Sequence, residues 1–368
     1  MFLSRSYGIM YKDKFQHLQT EVFFKYNDTG RSYSMNKTLL RMLCVLFFVV
    51  ILVSAGVLYF TFDVRALVYL TTFKWYYALL ALGVLSVGLF FDATRLITLT
   101  RLSGEKMDYA HIFYAVFSNY FLALLTPGQG GGGIAMLMFM KRAGVPVAKS
   151  TLIVIVRTVF SILFLFLMMP LVFWFDPELV SWMPTSVIAL VCAFFIGAPW
   201  LLWHLVMGGR LEKWLARFSR RFSPRVQEAI FLGYRDFQQA MFMLKDNPRQ
   251  VLRAFLESGI SLLFIYSVVP VFIKAFGIDL PLHIVMGRMC LINLVLYFTP
   301  TPGGSGVAEG GFLVLFNSLL PPGTAGVLAI LWRFFCEYIP FTIGAVVTIK
   351  CFGLDILTKI RDRRDMDS

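Results

Sequence analysis

Charged residues are scarce in this chain. Asp, Glu, Lys and Arg make up 15% of its 368 residues, whereas a soluble protein of ordinary composition carries roughly a quarter. Hydrophobic residues make up 58%, and many of them fall in runs that approach the roughly 20 residues a membrane-spanning helix needs. The composition excludes an ordinary soluble protein and predicts an all-α polytopic membrane protein.

Cysteine and histidine are also scarce, and neither follows a metal-binding pattern. The five cysteines lie in or beside apolar runs without a CxxC pair, and the four histidines are scattered. This spacing argues against a zinc site and against a disulfide framework. We expect neither a metal nor a cofactor.

Acidic residues are fewer than basic ones, which gives a formal net charge of +13. The basic residues cluster beside the apolar runs, which is typical of loops on the cytoplasmic side. We therefore expect a multi-pass protein of the cytoplasmic (inner) membrane with both termini in the cytoplasm, and no nucleic-acid binding. The sequence leaves a homo-oligomer open.

Glycine and proline are concentrated in two segments, TPGQGGGG at Thr126–Gly133 and TPTPGGSGVAEG at Thr299–Gly310. The apolar runs on either side are too short to cross a bilayer comfortably. Irregular backbone at membrane depth is tolerated only where it is buried in protein or lines a wet cavity. We therefore predict two re-entrant helical hairpins with glycine loops at their tips, at 109–142 and 282–320.

The whole chain divides into two halves of matching order, which predicts about six full spans plus the two hairpins, arranged as an inverted repeat. The predicted parts are a basic cytoplasmic segment at 1–37, a first repeat at 38–176, a second repeat at 183–350 and a cytoplasmic tail at 351–368. Within the second repeat, 208–253 has basic residues between apolar ones at helical spacing. This insert predicts an amphipathic helix that binds anionic lipids of the inner leaflet.

Equivalent polar residues recur in the two halves. Asn119 and Asn293 precede the two Thr-Pro-Gly motifs, and Arg157 and Arg333 follow them at similar distances. Because arginine binds phosphate in a forked geometry, the two arginines with the glycine segments predict a cationic, anion-binding centre. The candidate substrate-binding residues are Asn119, Gln129, Gly130, Arg157, Asn293, Gly303, Gly304, Glu309, Arg333 and Glu337.

The acidic residues leave several roles open. Glu309 could cap the second hairpin helix, take a proton or hold an amine of the substrate, and Glu337 could pair with Arg333 one turn away. Asp92 and Arg95 stand near the inner end of the predicted second span. For them we expect an arginine that extends to the interface beside an aspartate.

The loop with Pro302, Gly303, Gly304, Gly306 and Glu309, together with the KRAG sequence at Lys141–Gly144, resembles a known family. It is the membrane domain of lysylphosphatidylglycerol synthase and its stand-alone, flippase-like relatives, and the resemblance covers about residues 38–350. It implies lipid translocation, and without the aminoacyltransferase domain no synthase activity is expected. The sequence departs from the family pattern in two places, at Ala308, where the family has an arginine, and in the all-glycine run Gly130–Gly133.

These observations predict a lipid translocase that moves an anionic phospholipid or a polyisoprenoid-phosphate-linked lipid between leaflets. The alternative is a membrane-embedded transferase, or a subunit of one, in which Glu309 acts as a general base on a lipid-linked substrate. A third reading is a scaffold that recruits a cytoplasmic enzyme through 208–253.

Overall fold

The computed structural model describes residues 73–126, 130–181, 184–207, 210–219 and 247–351, with position 48 and single positions between 227 and 239. The chain divides into two units. The larger is Leu43–Ile349 and contains the helices and the cavity described below. The smaller is Met1–Met42 with Lys350–Ser368, of which only residues 350 and 351 are described, as the end of the last helix.

Every regular element in the described ranges is a helix. In chain order they are α1 (Tyr76–Leu102), α2 (Tyr109–Leu125), α3 (Gly130–Arg142), α4 (Val147–Phe175), a short 3-10 helix (Pro177–Val180), α5 (Thr185–Met207), α6 (Arg210–Ser219), α7 (Pro248–Tyr266), α8 (Val268–Ala275), α9 (Leu282–Tyr297), α10 (Val307–Phe316) and α11 (Thr324–Cys351), which contains a π-helical turn at Phe334–Tyr338.

Four helical segments of the described part are long and apolar enough to cross a bilayer: α1, α4, the α7–α8 pair and α11. The predicted fold class, an all-α polytopic membrane protein, is confirmed. Helix α5 covers a fifth predicted span. The sixth, at the start of 38–176, lies outside the described residues except for position 48, and the segment 1–37 and nearly all of the tail lie outside them too.

Helices α2 and α3 form an antiparallel hairpin held by close backbone approach. A Cβ on Gly131 would lie 2.9 Å from the Leu122 carbonyl oxygen, and the Tyr114 and Phe139 rings are 6.0 Å apart near the other end. The predicted glycine loop is wrong for 130–133, because these residues form the first turn of α3. Glycine is needed at 131 and 132, because there the backbone of α3 touches α2.

Helices α9 and α10 form the second hairpin. The loop that joins them, residues 298–306, is called elbow 2 because it belongs to the second hairpin. Gly304, in the left-handed region at φ 67°, packs on Leu296, and Gly311 packs on Ile292 one turn further along. Residues 307–310 were expected in the loop, but they form the first turn of α10.

The hydrophobic core lies where the second hairpin packs on α8 and α11, with buried side chains of α1, α4 and α7 against it. Phe312 stacks on Phe316 and on Trp332, with ring centroids 4.4 and 5.8 Å apart. These three side chains are fully buried or nearly so. Their packing fixes α10 against α11 and thereby positions elbow 2.

The predicted insert 208–253 overlaps the start of the next helix. Helix α7 begins at Pro248, so the last six residues of the insert, 248–253, form the first turns of α7. Proline is favoured in the first turn of a helix because no backbone N–H is needed there. Of the rest of the insert the structure describes α6, in which Trp214 stacks on Phe218, and single positions further along.

Candidate functional site

A cavity of about 330 Å³ lies between the two hairpins and helices α1, α4, α7 and α11. We call it the polar cavity, because ionised, amide and hydroxyl side chains share its wall with apolar ones. The polar lining side chains are those of Asp92, Arg95, Asn119, Tyr120, Arg157, Thr158, Ser161, Ser261, Tyr266, Asn293, Tyr297 and Glu337.

The Asp92 cluster (Asp92, Arg95 and Arg157) forms one part of the wall. Arg157 donates to both carboxylate oxygens of Asp92, with Nη2 2.7 Å from Oδ2 and Nε 3.3 Å from Oδ1. Arg95, one turn after Asp92 on α1, pairs with the same carboxylate. One acid therefore serves two arginines, and the cluster carries a formal charge of +1.

Arg95 is fixed from its other side by two serines. Its Nη1 donates to Ser161 Oγ on α4 at 2.8 Å and to Ser258 Oγ on α7 at 2.6 Å. Asp92 and Arg95 are almost fully buried, at 1% and 3% exposure, whereas the Arg157 side chain is 13% exposed. Arg157 is thus the member of the cluster that a ligand in the cavity reaches most easily.

The Arg333 cluster (Glu309, Arg333 and Glu337) lies at elbow 2. The Arg333 side chain is fully buried; its Nε is 3.2 Å from Glu309 Oε1, and its Nη1 donates to the Gly303 carbonyl at 2.9 Å and pairs with Glu337. Glu309 Oε2 accepts a hydrogen bond of 2.8 Å from the Gly306 N–H at the start of α10. Glu309 is therefore a helix cap and an ion-pair partner at once.

The prediction of a positively charged centre is wrong for the net charge of the two clusters together. Three arginines and three acids make up the two clusters, so their formal charges cancel. The separation is what matters: the Asp92 cluster has one positive charge in excess and the Arg333 cluster one negative. The excess negative charge reaches the cavity through Glu337, which is 20% exposed and lies in the π-helical turn.

The hairpins meet at the cavity. Gly303 of elbow 2, with φ 57°, lies so close to the last turn of α2 that a Cβ there would be 2.5 Å from Leu124 Cδ1 and 2.9 Å from the Leu124 carbonyl oxygen. Glycine is therefore required at this position both for its backbone angle and for its size. The contact lets groups from both hairpins line one space.

The structure brings six of the sequence-predicted site residues to the wall of the polar cavity: Asn119, Gly130, Arg157, Asn293, Gly303 and Glu337. Three others, Gly304, Glu309 and Arg333, are not among the lining residues. Glu309 and Arg333 instead hydrogen-bond to the backbone of elbow 2, at Gly306 and Gly303. Gln129 lies outside the described residues.

Sequence reasoning missed Asp92 and Arg95 as members of the site. Both were expected at the inner end of their span, but α1 continues to Leu102 and places them well inside the helix. The signal was present, because an ionisable pair within an apolar run marks a functional position by default. The tyrosines 120, 266 and 297, which also line the cavity, carried no comparable signal.

Another buried cluster lies outside the polar cavity. Arg288 of α9 pairs with Asp176, which follows α4, with Nε 2.6 Å from Oδ2. Its Nη1 also donates to the Leu315 carbonyl of α10. Arg288 is therefore a buried tie between the second hairpin and the end of α4.

Among groups outside the spans, Asp108 immediately before α2 hydrogen-bonds to the His111 ring. This contact lowers the pKa of Asp108 below its ordinary value. Since Asp108 is not among the residues that line the polar cavity, the contact belongs to the start of α2.

Ionised side chains enclosed between two helical hairpins of an all-α membrane protein define the class: a polytopic protein with a charged site inside its membrane domain. The chain belongs to the family of the lysylphosphatidylglycerol synthase transmembrane region, which it matches over residues 47–344. The resemblance stated from its motifs is confirmed.

Two relatives are similar over most of their length. A UPF0104 membrane protein of Archaeoglobus fulgidus is 22% identical over 267 residues, which are 69% of this chain and 80% of the relative. A UPF0104 membrane protein of Methanothermobacter thermautotrophicus is 25% identical over 280 residues, 72% of this chain and 82% of the relative.

Proposed function

We propose that the protein is a lipid translocase that moves an anionic phospholipid or a polyisoprenoid-phosphate-linked lipid between the leaflets of the cytoplasmic membrane. The observation that carries this proposal is the polar cavity, in which a partly exposed arginine stands between two hairpins that meet. Ionisable groups inside a membrane domain are costly, so they mark substrate paths.

The chemistry of the cavity supports a lipid with an anionic headgroup. Arg157 presents a guanidinium that binds a carboxylate in a forked geometry, which phosphate can also accept. Apolar side chains, among them Val154, Ile162 and Leu262, line the same space and suit the beginning of an acyl or isoprenoid chain. Glu337 supplies an acceptor for a hydroxyl or amine of the headgroup.

Arg333 and Glu309 act as positioning residues in this mechanism. Arg333 holds elbow 2 through the Gly303 carbonyl, and Glu309 caps α10 while it neutralises Arg333. Alternating access then consists of movement of the hairpins around the fixed charges, as in transporters built from inverted repeats. The inverted repeat and the cytoplasmic position of both termini are parts of this proposal.

Helix α6 is the described part of the proposed contact with anionic lipids of the inner leaflet. It carries exposed Arg217, Trp214 and Phe218 within ten residues. Aromatic and basic side chains on one short helix suit a charged membrane surface.

Transport of a fluorescent lipid by the purified protein tests the proposal. Liposomes that contain phosphatidic acid with a fluorophore on its acyl chain are treated with dithionite, which quenches only the outer leaflet. We expect protein-containing liposomes to lose clearly more fluorescence than empty ones. Arg157→Gln should reduce the rate of lipid transfer at least about tenfold, because it removes one charge-assisted contact with the headgroup.

Arg249→Gln is the matched control, because Arg249 is an exposed arginine in the first turn of α7. Its rate should equal that of the unaltered protein. Equal rates for Arg157→Gln and the unaltered protein would remove the polar cavity from the transport path. A lipid that emerges with a changed mass would favour the transferase alternative.

A further inference from the structure

The carboxylate of Asp92 occupies the place where a phosphate would bind. Arg157 grips it side-on through Nε and Nη2, at 3.3 and 2.7 Å from its two oxygens. Two parallel N–H···O bonds of this kind are also the way in which a guanidinium holds a phosphate. The arginine that faces the cavity is therefore already bound to an anion supplied by the protein.

Burial decides which group a headgroup meets first. Both Asp92 and Arg157 line the polar cavity, but Asp92 is 1% exposed and the Arg157 side chain is 13% exposed, so a headgroup reaches Arg157 first. Asp92 also has a second cation, Arg95, one turn away on the same helix. If a headgroup phosphate took the place of Asp92 on Arg157, the carboxylate would keep Arg95 as its partner, and each of the three side chains would still be paired.

The charge of the cluster points the same way. Without Asp92, two arginines would face the cavity with a charge of +2, and a bound phosphate would leave only slowly. An unpaired buried arginine would also destabilise the protein. With Asp92 present, the cluster holds +1, and one anion replaces another each time a headgroup arrives or departs.

We propose that Asp92 is an internal counter-ion that competes with the substrate phosphate for Arg157, so that it weakens binding and speeds release. This inference rests on the proposed function and adds a residue that sets affinity. Asp92 is a positioning residue in the empty state, and phosphate displaces it from Arg157 but not from Arg95.

Binding of a soluble anionic lipid to the full chain tests the competition. The probe is dihexanoyl phosphatidic acid, titrated by calorimetry into protein held in phosphatidylcholine nanodiscs. We expect Asp92→Asn to bind the probe about tenfold more tightly than the unaltered protein, equivalent to about 1.4 kcal/mol. In liposomes the same variant should show a lower KM and a lower maximal rate for fluorescent phosphatidic acid.

Glu105→Gln is the control for overall charge. Glu105 pairs with Lys149 at 2.6 Å and does not line the polar cavity, so its loss removes the same unit charge elsewhere. Probe affinity should not change in this variant. A merely structural role for Asp92 would lower the rate of Asp92→Asn without tightening the binding.

A second pair of variants covers the case in which Asp92→Asn does not fold. The double change Asp92→Asn with Arg95→Gln keeps the cluster at +1 and leaves Arg157 without a competitor. It should bind the probe about tenfold more tightly than Arg95→Gln alone.

The outcomes separate the two proposals. In the first outcome, the unaltered protein binds the probe, and neither Asp92→Asn form binds it more tightly than its parent. This result overturns the competition but leaves the transport proposal intact. Binding that appears only when Asp92 is neutralised supports the competition. Absence of binding in every form overturns both.

Discussion

At the scale of single residues, small side chains decide where the helices can meet. In the first turn of α3, Gly132 lies against Asn119 of α2, and a Cβ there would be 2.6 Å from Asn119 Oδ1 and 2.8 Å from its carbonyl oxygen. The backbone oxygen cannot move aside without moving α2. Gly130, two residues earlier, is different, because a Cβ there would meet nothing within 4 Å.

The pair Gly132→Ala and Gly130→Ala tests this difference. Gly132→Ala forces the hairpin apart, and we expect it to lower stability by about 1–3 kcal/mol. Gly130→Ala should be neutral or slightly stabilising, because alanine is the better helix former by up to about 1 kcal/mol. Thermal unfolding in detergent measures both, and equal midpoints for the two variants would contradict the close packing of α2 on α3.

The same residues show what the sequence could predict and what it could not. The short apolar runs and the glycine segments predicted both hairpins, and the bounds of α2 are those expected. The helical state of 130–133 was not predictable, because glycine is a poor helix former unless a partner helix needs the room. That partner is known only once the hairpin is folded.

The site shows a similar division. The positions of Arg157 and Arg333 suggested two equivalent phosphate ligands, yet one lines the cavity and the other is fully buried behind elbow 2. Their partners decide this difference. Asp92, the partner of Arg157, is 65 residues away in sequence, and a single sequence does not reveal such a pairing.

At the scale of elements, the hairpins set the proposed topology. If each returns to the side from which it started, the residues before and after one hairpin face the same solution. Lys106 and Ala148 flank the first hairpin, and Asp279 and Ser318 flank the second; all four positions are exposed. Inverted repeats require the two pairs to face opposite sides.

Labelling of single cysteines tests this arrangement. In a background without native cysteines, Lys106→Cys and Ala148→Cys should react with an impermeant maleimide from the cytoplasmic side only. Asp279→Cys and Ser318→Cys should react from the outer side only. Opposite labelling within either pair would mean that the hairpin crosses the membrane completely.

At the scale of the whole molecule, the proposed transport requires the first hairpin to move relative to α11. The two elements touch near the cavity, where the rings of Phe121 and Phe341 are 5.2 Å apart. Helices α1 and α7 also touch through aromatic rings, Phe91 and Phe264 at 6.3 Å. Arg95 of α1 also donates to Ser258 of α7, so we expect these two helices to stay together during transport.

A reversible cross-link separates the moving contact from the static one. Phe121→Cys with Phe341→Cys, joined by a short reducible cross-linker, should lose transport and regain it after reduction. Phe91→Cys with Phe264→Cys should keep its transport when joined. Full activity of the first joined pair would exclude movement of this hairpin against α11.

The tie made by Arg288 bears on how the chain assembles in the bilayer. Its carboxylate partner, Asp176, is made 112 residues earlier during synthesis, and its carbonyl partner at Leu315 is made 27 residues later. The carboxylate that neutralises Arg288 is thus present in the chain before α9 is made, which lowers the cost of placing an arginine in hydrocarbon. The tie is complete only once the return helix α10 has been made as far as Leu315.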